Sequence, residues 1–184
     1  MLCSVNVLIL NGSLRPQGNT NKLCSIFKSK LEEIGHTFTE VNEVVSDCMN
    51  CGYCIDNGIC CIKDQMRVGF NSFDSVIIFS PIYFFNVSGK ARLMIDRMYA
   101  NTNTDIILSS ITVSGSYDFE DSGVDQFWNS LESTCRYCGY NLIQPINYVS
   151  YDKIIDFSEV DLSVIDSFIE SMEELYREIK KENN

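Results

Sequence analysis

Asn11-Gly12-Ser13-Leu14-Arg15-Pro16-Gln17-Gly18-Asn19-Thr20 is the stretch from which the rest of the chain is read. It follows an apolar run, Val5-Asn6-Val7-Leu8-Ile9-Leu10, and precedes a segment in which Leu23, Phe27, Leu31 and Ile34 recur at helical spacing. Strand, glycine-containing polar loop and helix together make a phosphate site. The first N–H groups of the helix lack internal partners, and its dipole puts positive charge there. Gly12 and Gly18 let the backbone approach a ligand closely. Ser13, Asn19 and Thr20 add neutral donors, and Arg15 adds a charged fork. An arginine just before a helix start opposes the dipole unless an anion is present. The stretch has neither a Gly-Lys-Ser/Thr ending nor a G-x-G-x-x-G, so it is neither an ATP-type P-loop nor the dinucleotide fingerprint. The alternative is a turn that caps a helix and binds nothing.

Outward from this stretch, strands and helices alternate. The patterning predicts strands at 4–10, 37–44, 74–80, 104–113 and 141–150, and helices at 19–34, 89–100, 124–140 and 162–179. Gly35 stops the first helix, Pro81 ends the central strand, and Ser88 caps the helix after it. A short helix is expected within 64–73, capped by Asp64. The tail 180–184 is expected to fray. Val76-Ile77-Ile78-Phe79 is continuously apolar, as in a parallel strand covered on both faces. The whole reads as a single domain over 1–184, a doubly wound α/β fold with a five-stranded parallel sheet, helices on both faces and the flavodoxin-like strand order. In that order the switch point lies between the first and third strands. The loops at 11–20 and 80–88 then flank one crevice.

The second loop, Ser80-Pro81-Ile82-Tyr83-Phe84-Phe85-Asn86-Val87-Ser88-Gly89, has three aromatics in a row. A flat heteroaromatic ring needs an apolar wall plus backbone N–H groups, and this loop offers both. The bland alternative is a core loop whose aromatics pack on the next helix. G-S-x-R-x-x-G-N-T resembles the FMN-phosphate loop of the NADPH-dependent FMN reductases, a flavodoxin-like family. S-P-x-Y-x-x-x-V-S, followed by Ile95-Asp96-Arg97, resembles that family's isoalloxazine-binding segment. The resemblance implies an FMN-dependent oxidoreductase, linked to NAD(P)H and reducing a small molecule or protein. It implies phosphate contacts from Ser13, Arg15, Gly18, Asn19 and Thr20. Ring contacts are expected from Pro81, Ile82, Tyr83, Phe84, Phe85 and Asn86, with Ser114 and Gly115 of a third turn, Val113-Ser114-Gly115-Ser116-Tyr117. It also implies a homodimer or homotetramer, in which a second subunit completes the exposed ring face. No residue stands out as a general acid, base or nucleophile, as expected where the flavin carries the chemistry.

The segment 46–63 differs in kind. Cys48-x2-Cys51-x2-Cys54-x5-Cys60, with Cys61 adjacent, brings thiols together on short spacers. Four thiolates suit a [4Fe–4S] cluster, C-x2-C pairs also suit zinc, and free or redox-active thiols are the third reading. The spacing resembles the compact motif of the iron-sulfur flavoproteins, a branch of the same family; a cluster plus FMN in one chain, with an acidic surface, also suits an electron-transfer carrier without a substrate of its own. The cysteines are expected at the same end of the sheet as the flavin crevice, where a cluster could exchange electrons with FMN. Cys135 and Cys138, at helical spacing, read as core or interface residues.

Composition sets the outer limits. The chain has 184 residues, 45% hydrophobic and 11% aromatic, which fits a globular domain with a sizeable core. A net charge of −11 argues against nucleic acid or an anionic membrane surface as partner. No apolar run spans a bilayer and no signal-peptide pattern opens the chain, so the expected location is the cytoplasm. Nine cysteines in a reducing compartment point to metal or redox work. His36, the lone histidine, reads as a surface residue at a strand start.

Overall fold

The computed structural model describes residues 4–100, 104–116, 118–150, 154–158 and 161–182. Along the chain come β1 (Asn6–Asn11), α1 (Asn19–Glu33), β2 (Thr37–Val41), α2 (Tyr53–Asn57), β3 (Ser75–Tyr83), β4 (Asn86–Val87), α3 (Gly89–Asp96), β5 (Ile107–Ser114), α4 (Phe119–Ser122), α5 (Val124–Cys138), β6 (Asn141–Leu142), β7 (Ile146–Val149) and α6 (Ser163–Glu182). Single 3-10 turns lie at Phe70–Ser72 and Met98–Ala100. The sheet is parallel in the order β2-β1-β3-β5, with β6 and β7 in succession alongside β5 and β4 turned back antiparallel on the end of β3. This is the flavodoxin-like order, with the switch point between β1 and β3.

Seven strand segments replace the five expected. The fifth strand is broken in two around Pro145, which has no N–H to give the ladder. β4 is only the return arm of a hairpin. Otherwise the hydrophobic alternation builds the layers. Leu8 and Leu10 of β1, with Val76 and Ile78 of β3, face a core closed by Ala91 and Met94 of α3 and by Phe127 and Leu131 of α5. Val7, Ile9, Ile77 and Phe79 face the opposite core, closed by Leu23, Phe27 and Leu31 of α1 and by Ile165, Phe168 and Met172 of α6. β5 is buried along its whole length. Cys135 lies in the first core, with Cys138 packed against it.

Several local expectations fail for identifiable reasons. Pro81 does not end β3, which runs on to Tyr83 with Pro81 opposite Val113. The carbonyl of Phe79 points to the β1 side, accepting from Gly12 N–H at 2.7 Å. The N–H that Pro81 lacks would point to the same side, beyond the end of β1, where the ladder does not need it. No α-helix forms over 64–73. Asp64 instead accepts from Met66 N–H (3.1 Å) and Ser46 N–H (3.0 Å), and only the Phe70–Ser72 turn follows. α6 continues to Glu182 rather than fraying from 180, with Lys180 Nζ 5.1 Å from the centre of the Tyr176 ring. His36 is buried, not on the surface. Its Nδ1 accepts from Val5 N–H (3.4 Å) and its Nε2 lies 3.1 Å from Glu173 Oε1. Burial lowers its pKa, against the pull of the Glu173 charge. No described helix is long and apolar enough to cross a membrane.

Candidate functional site

The loop 12–18 is held from behind before any ligand is considered. Asn11 is its main brace. Its Oδ1 accepts from Ser13 N–H (3.0 Å), and its Nδ2 donates to Asn21 Oδ1 (2.7 Å) and Glu40 Oε1 (2.8 Å). Burial would raise the Glu40 carboxyl, but hydrogen bonds from Lys28 and Asn11 outweigh it and hold the carboxyl below its usual range. Ser88 caps α3 by accepting from Ala91 N–H (3.1 Å), and its hydroxyl donates to Gly12 O (2.7 Å). Gly12 has no room for a side chain, since a Cβ there would stand 2.5 Å from Ala91 Cβ. Gly18 has an ordinary extended backbone and precedes α1 without a side-chain cap, and the first turn of α1 carries no acidic residue. An uncapped, acid-free helix start facing a cavity fits an incoming anion.

That cavity is about 690 Å³, within the range of small-ligand sites. Ser13, Arg15, Gly18, Asn19 and Thr20 line one side, with Leu14, Pro16 and Gln17. Pro81, Ile82 and Tyr83 line another, and Val113, Ser114 and Gly115 a third. Ser114 is fixed by Asn147 Nδ2 (2.9 Å) and by Ser150 N–H, which donates to its carbonyl (2.8 Å). Ser150 and Ile154 complete the wall. The Asn19 side chain, at the crevice wall, is also bonded to the late loop. It donates to Ser150 Oγ (2.8 Å) and accepts from Ile155 N–H (2.8 Å), tying the late loop to the helix start. Tyr117 lies outside the described residues.

Phe84, Phe85 and Asn86 do not line the cavity. They form the β3–β4 turn at its rim. Phe84 is 97% exposed, and Phe84 and Phe85 take left-handed φ values of 52° and 67°. A two-residue type I′ hairpin needs positive φ at both central positions, a place usually filled by Asn-Gly. Gly123 braces this turn from below, where a Cβ would fall 2.3 Å from Phe85 Cα. Asn86 Oδ1 accepts from its neighbour Val87 N–H (2.8 Å).

Lys90 was not singled out in the sequence. It is buried beneath the phosphate loop, with Nζ donating to Ser13 O (2.9 Å) and Asn42 O (2.5 Å). Burial lowers its pKa, with the Glu40 charge opposing.

Cys48, Cys51, Cys54, Cys60 and Cys61 line a second cavity of about 220 Å³, together with Asp96, Arg97 and Tyr99. These last residues stand at the C-terminal end of α3, whereas the crevice lies at its Ser88 end. Eight helical residues span about 12 Å. The cysteines are therefore beside the far end of α3, not at the crevice end as expected. The segment starts near the crevice at Asn42 and is drawn down the outside of α3 by Asp64 and Arg97. Arg97 Nη1 donates to Asp64 Oδ2 (2.5 Å) and Ser46 O (3.3 Å). Its Nε and Nη2 are buried without a hydrogen-bond partner among the described residues. Cys51 Sγ and Cys61 Sγ are 3.5 Å apart. The Tyr53 N–H, then the Cys61 thiol, hold the Cys51 thiol below its usual pKa, while burial raises Cys54. Among the described residues no three His, Cys, Asp or Glu side chains are placed to hold one metal ion. Thiolates around a single zinc stand about 4 Å apart, so the Cys48–Cys51–Cys54–Cys60 set is not assembled as a zinc site. The chemistry of the wall still fits a larger thiolate-ligated anion: five thiols and a buried guanidinium that acts on Cys60.

An iron-sulfur flavoprotein of Archaeoglobus fulgidus is 34% identical over 94 residues, 47% of this chain and 42% of that protein. The matched stretch spans about half the length of the curated relatives. Among solved structures, the NAD(P)H:quinone oxidoreductase of Methanothermobacter marburgensis superposes with a TM-score of 0.62 at 16% identity, over 95% of this chain and 98% of that one. RosB, solved with bound 8-demethyl-8-formylriboflavin-5'-phosphate, superposes with a TM-score of 0.67 at 15% identity, over 97% and 81%. At such identities the superpositions show the fold. The sequence profile of the NADPH-dependent FMN reductases, in contrast, matches residues 5–117, which take in the phosphate loop, the cysteine segment, all of β3 and the third turn. With more than half its length matched, this chain belongs to the NADPH-dependent FMN reductase family.

Proposed function

We propose that the chain is an FMN-dependent oxidoreductase that takes electrons from NAD(P)H and reduces a small-molecule or protein acceptor. One observation carries this reading. A braced phosphate-type loop, the end of β3 and the end of β5 bound a single cavity at the switch point of the sheet. Ser13, Arg15, Gly18, Thr20 and the backbone of Asn19 would hold the FMN phosphate. Pro81, Ile82 and Tyr83, with Ser114 and Gly115, would bind the ring edge and wall. Bound FMN supplies hydride and single-electron exchange; the side chains bind, orient and exclude water. Phe84, Phe85 and Asn86 would act at the rim. Exposed aromatics there are apolar surface that a second copy could cover, so a homodimer or homotetramer is the assembly we propose, in a reducing, cytoplasmic setting.

A second reading is an iron-sulfur flavoprotein that carries electrons without a substrate of its own. It is favoured by the thiol-lined cavity beside the buried Arg97 guanidinium. Cys48, Cys51, Cys54 and Cys60 would ligate a [4Fe–4S] cluster, which supplies one-electron exchange. Two measurements test these readings. Cofactor extraction should yield FMN. FAD alone, or no flavin after reconstitution, rejects both readings. Steady-state NAD(P)H oxidation with a quinone or nitro acceptor supports the enzyme. Its absence, together with iron and sulfide in anaerobically prepared protein, supports the carrier.

A further inference from the structure

Lys90 occupies a position that ordinary helix chemistry disfavours. It is the second residue of α3, where a cation opposes the helix dipole. It is also 7% exposed, and a buried charge is costly unless it is paired. Among the described residues Lys90 forms no ion pair. Glu40 is the one carboxylate whose charge it feels, and Glu40 is already bonded to Lys28 at 2.7 Å. What Lys90 does hold is backbone, donating to the Ser13 and Asn42 carbonyls.

The Ser13 contact has a geometric consequence. In a trans peptide the C=O and the following N–H point in opposite directions. With the Ser13 carbonyl drawn back onto Lys90, the Leu14 N–H points away from Lys90, and Leu14 lines the crevice. The ammonium thus turns one amide of the loop outward and places a buried positive charge, with no ion pair among the described residues, directly behind it. We propose that Lys90 is a positioning residue for the flavin phosphate: it aims the Leu14 N–H into the crevice and supplies the buried positive charge that a phosphate dianion neutralises. The role rests on the FMN reading given above.

The test compares FMN with riboflavin, which lacks the phosphate, by quenching of flavin fluorescence in the full chain. Lys90→Met removes the charge and the donors. Its affinity for FMN should fall about tenfold or more, the worth of a charged hydrogen bond, while riboflavin affinity stays within about twofold. Lys90→Gln keeps two N–H donors without the charge and should give a smaller loss in the same ratio. A merely structural lysine would weaken both flavins together and leave their ratio unchanged, which overturns the proposal. If Lys90→Met does not fold, Lys90→Gln decides by the same ratio. A parent that binds riboflavin as tightly as FMN refutes the phosphate site itself. A parent that prefers FMN, with that preference intact in the variants, refutes the role of Lys90 alone.

Discussion

The flavin crevice and the cysteine cavity are built on opposite plans. The phosphate loop is tied from behind by Asn11, Ser88 and Lys90, and Gly12 packs against Ala91 with no space to spare. Its shape exists before a ligand arrives. The cysteine segment is tied mainly near its ends, by Gln65 Oε1 accepting from Asn42 and Glu43 N–H and by Asp64 with Arg97, with Arg67 Nε donating to Cys60 O (3.1 Å) and Cys54 packed against the core between them. Between these ties α2 buries no residue, and Asn50, Gly52 and Gly58 are left-handed. A preorganised site keeps its geometry when one contact is removed. A segment with so little core is one that ligation of its thiols would order.

The largest expected effect is therefore all-or-none and belongs to the cysteines. Serine in place of Cys48, Cys51, Cys54 or Cys60 should each abolish bound iron in anaerobically made protein, with Cys61→Ser retaining it and FMN content unchanged in all five. Graded losses would mean independent thiols. Full FMN with neither iron nor zinc in the parent would leave a thiol-bearing segment on a plain flavin reductase.

Next comes the anchor. Asp64→Ala leaves the Arg97 guanidinium buried without its carboxylate and frees two backbone N–H groups. Breaking a buried pair in this way costs about 3–5 kcal/mol. Urea unfolding should show a loss of that order, and hydrogen exchange should show 42–64 opening first. The crevice should still bind FMN in the protein that remains folded.

A smaller effect is expected in the crevice. Arg15→Ala removes an exposed fork from a loop that is held by other groups. FMN affinity should fall roughly ten- to hundredfold, about 1.5–3 kcal/mol, with riboflavin unaffected and no change in melting temperature. Equal loss of both flavins would place Arg15 elsewhere. A drop in melting temperature would mean that the loop is less preorganised than its hydrogen bonds indicate.

The two plans also explain what the sequence disclosed. Val7 to Leu10 and Val76 to Phe79 are continuous apolar runs, set between segments of helical spacing, so the parallel sheet, its order and the crevice are legible. Local backbone geometry is not. The Phe84–Phe85 turn has none of the usual Asn-Gly composition, and it packs directly on Gly123, distant in sequence. The bonds of the Asn19 side chain to Ser150 and Ile155 are likewise contacts that nothing nearby in sequence encodes. Lys90 reads as a surface charge at a helix start until tertiary packing covers it. His36 is hidden by α6, whose approach no pattern around residue 36 encodes. The descent of the cysteines along α3 rests on the pairing of Asp64 with Arg97, again a contact between distant residues.

The smallest effect separates the two regions by pH. Neutral His36 accepts from Val5 N–H, which protonation of Nδ1 would abolish. Burial holds its folded pKa below the ordinary 6.5, so the unfolded chain binds the proton more readily. Its contribution to stability is complete above about 6.5 and is lost as pH falls from there through the folded value. His36 packs near Val5 and Glu173, away from both cavities. Acidification from pH 7 to 5 should therefore lower the melting temperature slightly, an effect absent in His36→Gln, without changing exchange in 12–18 or 42–64. Asp64 behaves differently. Burial pushes its carboxyl up, but hydrogen bonds from Arg97, Ser46 and Met66 prevail and leave it below the ordinary 3.8. Its stabilisation is present above that value and lost as pH falls through the folded pKa. Only in that acid range should the cysteine segment lose protection. Opening of 42–64 already between pH 7 and 5 would show that the Asp64–Arg97 anchor does not hold the segment, and the contrast between the two regions would have to rest on another contact.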